Sequence, residues 1–251
     1  MVIGCADPNT TGAGGGMARL QAAGVSVECA ENPAPFRELI RPFAVSSRLK
    51  RPYVCLKWAE TVNGVLGQRN GPRILISSAP ANRFVHRLRA QLPGIMTGRE
   101  TLALDNPRLS LRLQPGPQPT RIIWDSGLSL PPERHVFRPE GQLIVLNELR
   151  DGREGHIHYV KTGIQDPANH LADVLATLYE RFQLGGILVE GGRQLLSSFL
   201  AQGVWDDLYV IQAPHRANGD VLRPELPANL EPLGAEDLPP DRLLHYRRDA
   251  P

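Results

Sequence analysis

Residues 185–200 read GGILVEGGRQLLSSFL, and this stretch decides the fold class. Gly185 to Glu190 is an apolar run of strand length, and a helix starts directly after Gly191-Gly192 and reaches Ala201. A glycine pair lets the backbone turn sharply from strand to helix and lets a ligand come close to the main chain. The first N–H groups of that helix have no partner within it and can bind an anion such as a pyrophosphate. The pattern is neither GxGxxG nor a phosphate loop ending in Gly-Lys-Ser/Thr, so a tight turn without a ligand is the alternative. Glu190 closes the strand, which puts a carboxylate where open α/β sheets place their ligand crevice. A carboxylate in such a place needs a partner, or its ionised form is disfavoured.

The chain on either side continues the alternation. Tyr53 to Ala59 is a strongly apolar strand, and a helix capped near Ser78, with Pro80 in its first turn, runs to Gln91. Short strands follow at Gly94 to Thr97, Arg121 to Trp124, Gln142 to Leu146 and His156 to Val160. Asp166-Pro167 opens a helix whose Leu171, Val174, Leu175 and Leu178 recur at helical spacing. Asp206 to Ala213 is a β-rich run, and a proline-rich tail follows it. Near the N-terminus, Met17 to Ala23 is a predicted helix stopped by Gly24, and Val25 to Cys29 a strand. Pro33 to Phe43 is a second short helix, and the polar, basic Ser46 to Pro52 reads as a linker. Strands interleaved with helices imply an α/β sheet covered on both faces, with a domain boundary near residue 46.

Composition sets the outer limits. With 251 residues, 41% of them apolar and 22% charged, the chain can bury a sizeable core and has no signature of disorder. A formal charge of +2, with cations and acids alternating, gives no case for nucleic acid. No apolar stretch approaches the roughly 18–20 residues that span a bilayer, and the N-terminal residues do not read as a secretory signal. Cys5, Cys29 and Cys55 are odd in number and form no CxxC pair, so the expectation is free thiols in a cytoplasmic protein. His156 and His158 share a strand face, but no third ligand stands in context, so no metal is expected. His86, His135, His170, His215 and His245 read as surface or core fillers, and Gly12 to Gly16 as a turn.

Lys57 is unusual because it sits mid-strand, on the face it shares with Tyr53, Cys55 and Ala59. It either snorkels at an edge or points into a polar cleft. In TLALDNPRLSLR, Thr101 to Arg112, Asp105-Asn106-Pro107 is a turn signature, and Leu109 and Leu111 then alternate with Ser110 and Arg112 as a strand would. Arg89 and Arg112 could clamp a phosphate through forked hydrogen bonds, or be two ordinary surface arginines.

Five blocks in order, RPYVCLKWAETVNG, VHRLRAQ, TLALDNPRLSLR, RIIWDS and ILVEGGRQLLSSFLAQGVWDDL, resemble the reductase domain of the bifunctional riboflavin-biosynthesis deaminase–reductase family. The likeness runs from about Arg51 to Ala213. It implies a dihydrofolate-reductase-like α/β fold, a homodimer and use of NADPH. The substrate it implies is a pyrimidine ribosylamino 5′-phosphate, 5-amino-6-(5-phosphoribosylamino)uracil, reduced to its ribityl product. The resemblance further implies Lys57 and Glu190 near the reacting carbon, Arg89 and Arg112 on the phosphate, and Leu109 lining the substrate. Ala59, Ser77, Thr101, Asp105, Ser126, Gly192 and Arg193 correspond to cofactor-contacting positions.

There are departures from the family pattern: Asn63 stands where Asp is frequent, Leu75 where Trp is common and Arg73 where Ser is often found. The first residues, VIGCADPNTTGAGGGMARLQAAGVSVE, resemble the end of the family's deaminase domain without its zinc-binding motifs. The expectation is therefore a deaminase remnant over residues 1–46 and a reductase domain over 47–251, with no deaminase activity. Either Met1 is an internal start of a longer gene or the form is a shortened one. Two other readings stay open. One is a related reductase of a pterin or another pyrimidine; the other is a catalytically silent subunit that partners a separate deaminase.

Overall fold

The structure, a computed structural model, describes residues 1–9, 15–70, 74–163 and 170–248. Two compact units divide the chain, one of residues 1–53 with 175–186 and the other of 54–174 with 187–251. In the first, β1 (Val2–Ile3) pairs in parallel with β2 (Glu28–Cys29), with α1 (Gly16–Ala22) between them in sequence and α2 (Ala34–Leu39) and α3 (Arg41–Leu49) after them. The linker expected over 46–52 is instead the second half of α3. Ser46 is buried, its hydroxyl donates to the Phe43 carbonyl, and the helix ends only at Lys50, which takes a left-handed conformation. The single helix expected from Pro33 to Phe43 is likewise two, α2 and α3, meeting at Ile40.

The second unit holds most of the secondary structure that follows, with Leu175–Gly186, and so most of α6 (His170–Phe182), counted in the first. In chain order it runs β3 (Tyr53–Thr61), β4 (Val65–Gly67), α4 (Ala79–Gln91), β5 (Gly94–Gly98), α5 (Arg99–Asp105) and β6 (Thr120–Trp124). Next come β7 (Leu143–Asn147), β8 (Gly152–Glu154), β9 (Ile157–Lys161), α6 (His170–Phe182), β10 (Gly186–Val189) and α7 (Arg193–Gln202). The chain closes with β11 (Asp207–Ala213), β12 (Val221–Leu222), β13 (Gly234–Leu238) and β14 (Asp241–Arg247). Among the described residues one sheet has the order β13-β14-β11-β3-β10-β5-β6-β7-β9-β8. β11 and β3 pair in parallel, and β10, β5, β6, β7 and β9 form a parallel ladder, while β8 and β14–β13 add antiparallel edges. The α/β class and the mostly parallel sheet expected from the sequence are what the structure has.

Several elements depart from the sequence reading. Thr101 to Asp105 lies in a short helix, α5, and the expected strand over Leu109 to Arg112 is absent: Leu109 takes φ 53°. The proline-rich tail carries the β13–β14 hairpin. The Asp166-Pro167 helix start and Arg73 lie outside the described residues, as does most of the Gly12 to Gly16 turn.

The core explains the order of the ladder. Ile95, Ile123, Leu143 and Val145 project from one face of β5, β6 and β7 onto Leu102 of α5 and onto Leu109, Leu130 and Val136 of the flanking loops. Ala81 and Val85 of α4 pack with Ile211, Leu238 and Leu243. Each such side chain contributes roughly 1.5–3 kcal/mol by leaving water. Arg121, 1% exposed, crosses the first of these layers and donates to the carbonyls of Val136, Arg138 and Gly141. Among the described residues no helix is long and apolar enough to cross a membrane.

Candidate active site

The parallel strands β3, β10, β5 and β6 end toward a cleft, the position favoured for ligands in open α/β sheets. Its larger cavity has a volume of about 820 Å³. β3 contributes Lys57 and Ala59 to the lining, and the turn after β10 contributes Glu190 and Gly192, with Arg193 starting α7. Ser77 precedes the α4 cap, and Arg89 comes from the last turn of α4. Thr101, Asp105 and Leu109 complete the sequence-predicted residues found there. Arg112 and Ser126 are not in that lining.

Glu190 is fixed by its own backbone before its side chain is considered. Its N–H donates to the Met96 carbonyl at 2.9 Å, and its carbonyl accepts from the Thr97 hydroxyl at 2.7 Å. The carboxylate then accepts both arms of the Arg89 fork, Nε to Oε1 at 2.9 Å and Nη2 to Oε2 at 2.7 Å. The two side chains are 12% and 13% exposed, so water screens them little. Burial disfavours the Glu190 charge, but Arg89, with help from Lys57 and His86, outweighs it and holds the carboxyl below the usual carboxylate range. Arg89 is held charged in return, Glu190 overcoming its own loss of water. Arg89 is therefore a carboxylate partner, with only a long 3.4 Å contact from Nη1 to the Ser110 carbonyl beyond it.

The segment after α5 is tied down from several sides. Asn106 accepts the His135 N–H at 2.9 Å, and Gln118 bonds both the N–H and the carbonyl of Leu111, at 2.9 and 3.0 Å. These restraints hold Leu109, 3% exposed, in the left-handed region that branched and bulky residues avoid. His86, which the sequence gave no reason to single out, is buried beside this segment on α4, and its Nδ1 accepts the Arg112 N–H at 3.4 Å. Burial, then the charges of Arg89 and Arg112, lower its pKa against the opposing Glu190 charge. Arg112 itself is exposed at the surface.

Ser126 lines a second cavity of about 580 Å³, walled by Trp124, His170, Leu171 and Leu195. Asp125 sets the preceding turn, accepting from the Ser129 N–H and hydroxyl and from the Leu130 N–H. Arg99, Glu100, Thr101, Gly192 and Gln194 line both cavities, so the two meet along one wall. At that wall α7 begins at Gly192 with no side-chain cap. A Cβ on Gly192 would meet Thr101 Oγ1 at 3.3 Å, and one on Gly191 would meet Leu195 at 3.0 Å. Outside both linings, Asn63 ties the turn after β3 to the segment after β11: its Oδ1 accepts the Ala217 N–H at 3.1 Å while its Nδ2 donates to the Ala217 carbonyl at 3.0 Å. Leu75 is 78% exposed at the edge of the larger cavity. Among the described residues no three His, Cys, Asp or Glu side chains gather as metal ligands.

Residues 52–222 match the family described as the RibD C-terminal domain. The chain belongs to that family. It is 31% identical over 219 residues to the riboflavin biosynthesis protein RibD of Aquifex aeolicus, across 85% of this chain and 61% of that protein. Among solved structures, RibD of Acinetobacter baumannii superimposes with a TM-score of 0.84 at 26% identity, over 98% of this chain and 72% of its own. A Thermotoga maritima protein superimposes with a TM-score of 0.85 at 26% identity, over 98% of this chain and 70% of its own. That protein is a diaminohydroxyphosphoribosylaminopyrimidine deaminase/5-amino-6-(5-phosphoribosylamino)uracil reductase. The chain thus spans about three fifths of the length of the curated RibD relatives it matches.

Proposed function

We propose that the chain is a reductase of riboflavin biosynthesis that converts 5-amino-6-(5-phosphoribosylamino)uracil to the ribityl product with NADPH. Membership of the RibD C-terminal domain family supports the reaction class. The observation that carries the reading is the ionised Glu190, gripped by Arg89 with the Lys57 charge beside it, in a cleft at the strand ends. In this reading residues 1–46 correspond to the end of a deaminase-like domain and 47–251 to the reductase. The protein acts in the cytoplasm as a homodimer, and a separate deaminase is a candidate partner.

The residues present fit a dinucleotide. The uncapped start of α7 offers free N–H groups to a pyrophosphate, and a Cβ in the Gly191-Gly192 turn would crowd Leu195 and Thr101, so glycine leaves the main chain open to a ligand. Ala59, Ser77, Thr101, Asp105, Ser126, Gly192 and Arg193 would hold the cofactor, and a bound nicotinamide would supply the hydride. The protein's own task is to position the sugar and carry its charge. Glu190 accepts from sugar hydroxyls, Lys57 donates to the sugar oxygen that gains electron density, and Leu109 walls the ring. Arg89 is committed to Glu190, so the 5′-phosphate is assigned to Arg112, an exposed cation outside the cavity lining.

The test is direct. Purified chain, the deaminated ribosyl phosphate and NADPH should give loss of nicotinamide absorbance with formation of the ribityl product. No oxidation at high enzyme concentration, with cofactor binding shown separately, would refute the assignment.

A further inference from the structure

The two cavities differ in kind, and one side chain stands where they join. The smaller has an aromatic and aliphatic wall of Trp124, His170, Leu171 and Leu195, suited to a flat heterocycle, whereas the larger carries Lys57, Arg89 and Glu190. Resting on the reading above, a dinucleotide with its nicotinamide end beside Glu190 crosses the shared wall with its pyrophosphate and places its adenosine in the smaller cavity. The adenosine ribose then lies between heterocycle and pyrophosphate, next to that wall.

Arg99 lines both cavities and is the sole Lys or Arg among the described residues lining the smaller one. Arg89, by contrast, is committed to Glu190, and Arg69 pairs with Asp220 at 3.6 Å. The Arg99 side chain is exposed, so its fork can turn to a ligand without breaking packing. Glu100 stands beside it on the same wall and works the other way, since a carboxylate there repels a phosphate and would accept from a free ribose hydroxyl. Glu100 lies in the first turn of α5, where the helix N-terminus partly offsets its charge, and Arg193 adds a cation on the larger cavity's side alone.

We infer that Arg99 is the residue that selects NADPH over NADH, pairing with the phosphate on the adenosine ribose 2′ oxygen. A guanidinium–phosphate contact of two forked hydrogen bonds adds affinity only for the ligand that carries the phosphate. Arg99 therefore determines specificity and takes no part in the reduction.

The test measures dissociation constants of NADPH and NADH by titration calorimetry, and by quenching of Trp124-side fluorescence, for the full chain and its Arg99→Gln variant. Adenosine 2′,5′-bisphosphate and AMP serve as short probes of the smaller cavity. The expected result is weakening of NADPH and of the bisphosphate by about 10- to 100-fold, with NADH and AMP within about twofold of wild type. Equal weakening of NADPH and NADH would place Arg99 on the pyrophosphate and overturn the inference, as would no change in either. Failure of wild-type chain to bind either dinucleotide would instead overturn the reductase reading itself, so the two failures are told apart. Exposure of Arg99 makes misfolding a poor explanation for a loss, and an unchanged melting temperature of the variant checks that point.

Discussion

Replacing Glu190 with glutamine separates the charge of the carboxylate from its shape. The side chain keeps one oxygen for an Arg89 N–H but loses the second acceptor and the negative charge, in a pair whose partners are 12% and 13% exposed. One charge-assisted hydrogen bond is worth about 1.5–3 kcal/mol, and stranding a buried cation altogether costs about 3–5 kcal/mol. Glutamine retains part of the pairing, so about 2 kcal/mol is the expected loss. In a protein of this size that lowers the melting temperature by roughly 4–8 °C, which leaves the fold intact at 25 °C. In the proposed mechanism turnover should fall by at least about a hundredfold, because the group assigned to accept from the sugar is no longer an anion. Chemical denaturation and steady-state kinetics read the two effects separately. The sign with pH also follows: the Glu190 pKa is lowered on folding, so its stabilisation is present above pH 4.5 and is lost as pH falls through the folded value. The Glu190→Gln protein should lack that acid-side contribution. A variant with wild-type turnover, or with a stability change below about 0.5 kcal/mol, would refute the reasoning.

The other predictions concern neighbouring parts of the cleft. Gly192→Ala has no backbone strain to pay for at φ −71°, so stability should stay within about 1 kcal/mol, while cofactor affinity measured by fluorescence falls about tenfold or more because the Cβ crowds Thr101. Asn63→Asp removes the donor to the Ala217 carbonyl and should cost about 0.5–1.5 kcal/mol in urea unfolding, with Asn63→Ser costing at least as much. His86 has a folded pKa below 6.5, so below pH 6.5 the unfolded chain takes up the proton first and stability falls as pH drops; His86→Leu should flatten that slope below pH 6.5, and an unchanged slope would show that another group is responsible.

The sequence was most legible where local pattern and tertiary packing ask for the same thing. β10 and α7 were readable because an apolar run, a glycine pair and a helix follow one another with no competing signal. α4 was readable because Ser78 does cap it, accepting the Ala81 N–H at 3.3 Å. α5 was not, because it spans seven residues without a side-chain cap and its end carries the turn signature Asp-Asn-Pro. Leu109 defeated a strand reading because its alternation with Leu111 serves burial, while hydrogen bonds from Gln118 and His135 set a backbone that local preference opposes. Within the site, Lys57 and Glu190 stood out as charges in apolar strands. His86 did not: a histidine on a helix carries no mark of the burial and the arginines that lower its pKa, one of them 26 residues away. The Arg89–Glu190 pair spans 101 positions, and no spacing rule reaches that far.

That pair has a further effect on what the protein admits. A guanidinium already answered by a carboxylate presents little net field to solvent, so a stray inorganic anion meets an electrically quiet surface instead of a trap. A molecule that offers hydroxyls to the acid and an anionic group to the flanking cations gains on both counts at once. On the proposed reading, cellular phosphate, abundant but monofunctional, would be a feeble competitor, and the pocket would stay responsive to scarce sugar phosphates in a crowded ionic medium.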